Sequence, residues 1–167
     1  LVQAFDSVVA ADPDDDLRLV VAGADGWGAE AVGAALGRSV GVRLGRVARL
    51  GFVSDADRAD LLAGATCLAY PSVYEGFGLP PLEAMAAGVP VVVTDAGALP
   101  EVVGDAARIV PVGDADALAA ALVEASADDD VRTTLVERGR ARAAAASWDA
   151  SRAAFAELVT RLASGGT

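Results

Sequence analysis

Short runs of apolar, often β-branched residues alternate along this chain with longer runs of helical spacing, and that alternation limits the fold more than any other feature. Pro90-Val91-Val92-Val93-Thr94 is the clearest strand, with no polar side chain until its last residue. A strand apolar at successive positions must be covered on both faces, which calls for helices above and below a parallel sheet. Residues 17–23 and 46–53 read as two further strands, the second less continuous; residues 66–70 and 108–110 read as two more. Helical segments separate them. One covers residues 27–37, and another follows Ser54-Asp55 as an N-cap and runs through Leu61, Leu62 and Gly64. A third covers residues 79–87, with proline at its first positions and Gly88 as its C-cap. From Asp114 the pattern is helical, broken near residues 128–130 and near Ser147. The expected fold is therefore α/β, a Rossmann-like doubly wound parallel sheet with right-handed crossovers. Residues 1–11 read as a helix with no strand before it, whereas such a domain normally opens on a strand. The first strand is expected upstream of Leu1, which makes the chain an N-terminally truncated domain.

With 167 residues, the chain suits one domain able to bury a core of ordinary size. Its formal net charge is −11, and all 13 basic residues are arginine; it contains no His, Lys or Asn. A P-loop needs its lysine on the phosphates, and Ser-His-Asp or Cys-His hydrolases need an imidazole, so both classes are excluded. Zinc sites of the His/Cys type are excluded by one cysteine and no histidine. Nucleic acid, which demands a basic face, is not an expected partner. The single Cys67 lies in an apolar run and is expected to be a buried, inert thiol. No apolar stretch approaches the ~20 residues of a membrane-spanning helix, and residues 1–6 carry no basic leader. The expectation is a cytoplasmic protein without a transmembrane segment.

Ligands of a doubly wound sheet bind beyond the carboxyl ends of its strands. Four loops lie there: Gly23-Ala24-Asp25-Gly26, Val53-Ser54, residues 71–78, and Thr94-Asp95-Ala96-Gly97. The most informative runs Pro71-Ser72-Val73-Tyr74-Glu75-Gly76-Phe77-Gly78-Leu79-Pro80-Pro81-Leu82-Glu83. Glycines at 76 and 78 let backbone approach a ligand, and the free N–H groups of a helix start favour an anion such as a diphosphate. A tight strand-to-helix turn with no ligand explains the same glycines, and spacing alone leaves both readings open. Glu75 and Glu83 would repel a diphosphate if they faced it, but they suit hydroxyl groups, which donate to carboxylates. A ligand with phosphates in the middle and hydroxyls at both ends, a nucleotide sugar, meets both conditions. Helix-dipole stabilisation in a first turn is the competing account of Glu83; no such account covers Glu75, which lies in a loop before a glycine.

The segment Pro71-Ser72, Glu75-Gly76-Phe77-Gly78-Leu79-Pro80, Glu83-Ala84-Met85-Ala86-Ala87-Gly88 and Pro90-Val91-Val92 resembles the signature of the retaining group 1 (family 4) glycosyltransferases of the GT-B fold. Their mark is two glutamates separated by seven residues, matched by Glu75 and Glu83. Gly51-Phe52-Val53-Ser54, Gly97-Ala98-Leu99-Pro100-Glu101-Val102-Val103 and Ser147-Trp148 extend the similarity in the family's order. By this resemblance, residues 1–167 are the C-terminal, donor-binding half of a GT-B enzyme that moves a hexose from a nucleotide sugar to an acceptor hydroxyl. The resemblance implies that Glu75 is the catalytic carboxylate beside the donor sugar and that Glu83 binds the ribose hydroxyls. It places Gly76, Phe77, Gly78 and Leu79 against sugar and phosphates, Val53 and Ser54 near the base, and Gly97 at the border of the cleft. It implies no obligatory metal and no cofactor, and a front-face route in which the leaving diphosphate helps deprotonate the acceptor.

The family carries an Arg and a Lys near the start of this domain that neutralise the diphosphate, and this chain has no Lys. The acceptor-binding N-terminal domain is also missing from it. The isolated chain is accordingly expected to bind donor weakly and to transfer nothing. Two other classes stay open: a non-catalytic α/β nucleotide-binding domain, and a fragment of a GT-B sugar-nucleotide epimerase. The Asp-x-Asp clusters at residues 12–16, 55–57, 114–116 and 128–130 read as helix caps or solvated connectors rather than metal ligands. Gly23-Ala24-Asp25-Gly26-Trp27-Gly28 lacks the spacing of a dinucleotide fingerprint, and Trp27 reads as packing at a helix start. Leu118, Leu122, Leu135, Val136, Phe155, Leu158 and Leu162 read as core or docking positions. The family's last helix crosses back to the N-terminal domain, so the face with Phe155, Leu158 and Leu162 is expected to be partly uncovered. Residues 164–167 are expected to fray.

Overall fold

The structure, a computed structural model, describes the chain except for Asp25, Trp27, Gly166 and Thr167. The packing expected of Trp27 and the fraying expected of Gly166 and Thr167 lie outside the described residues. Helix α1 (Val2–Ala11) leads to strand β1 (Leu19–Ala22), helices α2 (Ala29–Arg38) and α3 (Val40–Arg43), strand β2 (Val47–Gly51) and helix α4 (Asp55–Ala63). Strand β3 (Leu68–Tyr70), helix α5 (Leu79–Ala87), strand β4 (Val91–Thr94), helix α6 (Leu99–Val103) and strand β5 (Arg108–Val110) follow. Helices α7 (Ala115–Ala127), α8 (Asp129–Ala145) and α9 (Trp148–Ala163) complete the described chain.

The strands pair in parallel, as the alternation requires. They do so in two ladders, β1-β2 and β3-β4-β5, rather than in one continuous sheet. The expectation that all strands are covered on both faces holds for β4 alone among them. Val91, Val92, Val93 and Thr94 are all buried, whereas β1 and β2 alternate or lie largely open and β3 is half-buried. Among the described strands β4 alone has a partner along each edge, and helices cover both its faces, α5 and α6 on one and α1, α7 and α8 on the other.

The core reflects that central strand. Val91 and Val93 face Leu82, Met85, Leu99 and Val103 from α5 and α6. Val92 faces the other way, onto Ala4, Val110, Leu118 and Leu135 from α1, β5, α7 and α8. Burying a valine side chain is worth roughly 1.5–3 kcal/mol, so three adjacent ones make β4 the anchor of the molecule. Leu122 and Val136 are half-buried beside this core. Phe155, Leu158 and Leu162 are exposed, and α9 has no buried residue. The last three therefore join no core.

The strands are shorter than the apolar runs because glycines turn the chain away. Gly23 and Gly51, at φ +136° and +69°, end β1 and β2, and the Gly23 N–H donates to the Gly51 carbonyl at 2.7 Å. Helices α3 and α6, of four and five residues, have no counterpart in the sequence reading. They are too short to show a helical period. The caps expected at Ser54 and Asp114 match: Ser54 forms a capping box with Asp57 on α4, and Asp114 caps α7. Asp128 and Ser147, read from the sequence only as breaks in the helical pattern, cap α8 and α9. Asp12 accepts the N–H groups of Asp14 and Asp15, so this cluster, too, folds back on its own backbone. Cys67 is half-buried rather than buried, and burial pushes its thiol up to about 12. Among the described residues no helix is long and apolar enough to cross a membrane.

Candidate functional site

Strand β3 delivers the chain to the loop of residues 71–78, and α5 begins immediately after it. The loop is clamped by the segment that follows β4. Thr94, 3% exposed and the one polar residue of its strand, donates its hydroxyl to the Ser72 carbonyl at 2.5 Å. The Ala98 N–H donates to the Glu75 carbonyl at 3.0 Å. Gly97 lies against the same carbonyl at φ +53°, where an added Cβ would come within 2.3 Å of the Glu75 oxygen. Only glycine fits there, both for its backbone angle and for the space. Asp95 faces away from the loop, accepting the Val112 N–H at 2.8 Å.

Glu75 is held through both carboxylate oxygens. The Tyr70 hydroxyl donates to Oε2 at 2.6 Å, and the Gly76 N–H donates to Oε1 at 3.1 Å. Burial, then the hydrogen bond and charge of Glu75, raise the Tyr70 phenol above its ordinary value. Tyr70 is thus a committed donor to this carboxylate.

The start of α5 offers fewer free amides than a helix usually does. Gly78 caps α5 in the left-handed region, and Pro80 and Pro81 occupy its second and third positions. They remove two of the four N–H groups that a helix start usually offers. The open donors lie one step earlier. The N–H groups of Phe77, Gly78 and Leu79 have no acceptor among the described residues. Phe77 and Leu79 are about half exposed, whereas Gly78 between them is buried.

Glu83 is the fifth residue of α5, outside its first turn, so helix-dipole stabilisation does not account for it. It is tied instead to α4. The Arg58 Nη2 donates to Glu83 Oε1 at 2.9 Å, while Arg58 Nη1 lies 3.2 Å from Asp55 Oδ1. Ser54, at the start of the same helix, has its hydroxyl occupied. It donates to Asp57 Oδ2 at 2.7 Å and accepts the Asp57 N–H at 3.1 Å, which leaves only backbone for a ligand. Val53 is half-buried next to it.

The structure thus brings Glu75, Gly76, Gly78 and Gly97 into one clamped loop pair. Glu83 is held from α4, the helix that Val53 and Ser54 lead into. No hydrogen bond among the described residues joins Val53 or Ser54 to residues 71–78. The sequence reading missed Tyr70, Thr94 and Arg58. Thr94 carried a signal, as the single hydroxyl closing an otherwise apolar strand. The other two carried none, since a strand-end tyrosine and a helix-surface arginine are ordinary. The site is an open shelf. Cavities of about 860 and 440 Å³ lie elsewhere, one between α1 and α7 and the other beside Gly88 and Arg140.

The chain matches the sequence model of the family described as Glycosyl transferases group 1 over residues 1–128. It is 43% identical over 131 residues to the O-antigen chain mannosyltransferase B of Escherichia coli, covering 78% of this chain and 34% of that protein. Its fold is similar to that of sucrose-phosphate synthase from Thermosynechococcus elongatus, with a TM-score of 0.76 and 29% identity over 99% of this chain and 43% of the other. It is also similar to Anabaena Alr3699/HepE in complex with UDP-glucose, with a TM-score of 0.70 and 27% identity over 84% of this chain and 39% of the other. The chain therefore spans about a third of the length of the mannosyltransferase it matches, 34%.

Proposed function

This chain belongs to the group 1 glycosyltransferases, and on that premise we propose that its shelf binds a nucleotide sugar and that the intact protein transfers the sugar, with retention, to an acceptor hydroxyl. The observations that support the proposal are a loop with three amides that have no acceptor among the described residues, Glu75 held within it, and Glu83 held by Arg58 on the helix that follows. The Phe77, Gly78 and Leu79 N–H groups supply neutral donors to a diphosphate. Glu75, immobilised by Tyr70 and its own loop, accepts hydroxyls of the donor sugar and acts as the catalytic carboxylate. Glu83 accepts the ribose hydroxyls. Gly97 keeps the wall beside Glu75 free of side chain, and backbone at Val53 and Ser54 meets the base. The acceptor comes from a further domain, and attack on the face of the departing diphosphate gives retention. Two similar proteins support the chemistry: one named a mannosyltransferase, and one of similar fold solved with UDP-glucose.

Calorimetric titration with UDP-, GDP- and ADP-sugars tests the binding step. We expect one base to be preferred, and Glu83→Ala to lower its affinity by about tenfold or more, as for loss of charge-assisted hydrogen bonds. The melting temperature should be unchanged. Equal loss of affinity and stability would return Glu83 to a structural role. The 167-residue chain alone is expected to bind donor weakly and to show no transfer. Robust turnover by it would refute the need for a second domain. A domain that binds donor while the intact protein transfers nothing would be a binding module.

A further inference from the structure

Arg58 does more at this site than its exposure indicates. The pair with Glu83 is about 40% open to solvent on each side, 43% and 37%. Ion pairs so exposed add little stability, typically 0–1 kcal/mol, so the fold does not depend on this one. Its geometry is the informative part. The guanidinium is braced at one nitrogen by Asp55, three residues earlier on α4, and spends the other on Glu83 Oε1 alone. Oε2 of Glu83 has no partner among the described residues. Each carboxylate oxygen has two lone pairs, so Oε1 also keeps an acceptor site. A glutamate on a helix surface would otherwise sample several rotamers. Fixed at one oxygen from a neighbouring helix, it presents a set carboxylate plane. The ribose 2′- and 3′-hydroxyls are two adjacent donors, and a set plane is what a bidentate contact with them requires.

We propose that Arg58, braced by Asp55, is a positioning residue that sets Glu83 for the ribose and so establishes the preference for ribonucleotide over deoxynucleotide donors. This rests on the reading of Glu83 as the ribose ligand. The test uses the intact protein, with dissociation constants for UDP, GDP and ADP and for the 2′-deoxy and 3′-deoxy forms of whichever binds best. Arg58→Met is expected to weaken the ribonucleotide by up to about fivefold and to leave the deoxy forms nearly unchanged, so that the ratio between them falls measurably. Arg58→Lys, which retains the charge and one donor, should restore much of that ratio. Melting temperatures of both variants should stay at the parent value. Equal weakening of ribo and deoxy forms, or no weakening of either, overturns the inference. Glu83→Ala separates the two readings. If it leaves the ribo-to-deoxy ratio intact, the ribose assignment of Glu83 fails. If it collapses the ratio while Arg58→Met does not, only the role of Arg58 fails.

Discussion

Glu75 owes its orientation to a neighbour five positions back, and that dependence can be measured. Removing the Tyr70 hydroxyl leaves Glu75 Oε2 without its donor while retaining the ring that packs beside the core. Tyr70→Phe should therefore cost little in folding, about 0.5–1.5 kcal/mol, and more in transfer by the intact protein, where a wandering carboxylate loses the sugar. The pH dependence gives a second check. Burial, then Glu75, raises the folded phenol above its unfolded value of about 10. Its contribution is complete below that unfolded value and is lost as pH rises through the folded one. Urea midpoints of parent and Tyr70→Phe should therefore differ at neutral pH and converge in strong alkali; a constant difference would show that the hydroxyl is not what matters. Glu75, Gly76, Gly78 and Gly97 are legible in the sequence because glycine beside a carboxylate at a strand end is a local pattern. Tyr70 and Arg58 are not, because what assigns them is a partner that only folding brings near. The free amides are half legible: the glycines mark the loop, but the two prolines remove the next donors of the helix start and leave those of residues 77–79.

Between elements, the α1–α3 contact shows how one carboxylate can join two helices that no periodicity connects. Asp6 Oδ1 accepts the Ser39 hydroxyl at 2.6 Å and the Gly41 N–H at 2.9 Å, capping α3 from a helix more than thirty residues earlier. Gly41 lets Phe5 press close beside that contact, since a Cβ there would stand 2.8 Å from the ring. Burial alone would raise the Asp6 carboxyl; the hydrogen bonds from Gly41 and Ser39 and the charge of Arg43 outweigh it and hold it below the ordinary value. A depressed carboxyl stabilises the fold above its unfolded value, about 3.9, and that stabilisation is lost as pH falls through the folded value. Asp6→Ala should thus lose about 1–3 kcal/mol at neutral pH, read as a lower urea midpoint, and the gap should close on acidification. A gap that persists at low pH would assign the loss to packing. Four-residue α3 is invisible to periodicity, and Asp6 reads as one more surface acid; their joint role exists only in three dimensions. β4 is the opposite case. It is legible from composition alone because burial on both faces admits no polar residue until Thr94.

At the scale of the molecule, the alternation of strand and helix specifies layers but not strand order, since every parallel strand carries the same kind of pattern. Hence α/β class and parallel pairing could be read, while the break between the β1-β2 and β3-β4-β5 ladders could not. The last helix is where the pattern of exposure has a consequence. On α9, Trp148, Phe155 and Leu162 recur every seven residues, with Leu158 and Val159 between the latter two, and all five are 43–81% exposed. At helical spacing they form one stripe, and nothing of α9 is buried in this chain. A contiguous apolar stripe of that length is driven out of water by about 25 cal/mol for each Å² it can cover. In the 167-residue chain on its own, the available cover is the same stripe on a second copy. We expect light scattering across a dilution series to show a concentration-dependent dimer. Phe155→Glu combined with Leu162→Glu should abolish it, and because α9 adds nothing to the core, the melting temperature of the dilute variant should match that of the dilute parent. A parent that scatters as a clean monomer at every concentration would show that the stripe is too interrupted by Arg152 to associate, and a variant that melts early would show that α9 packs on its own domain after all.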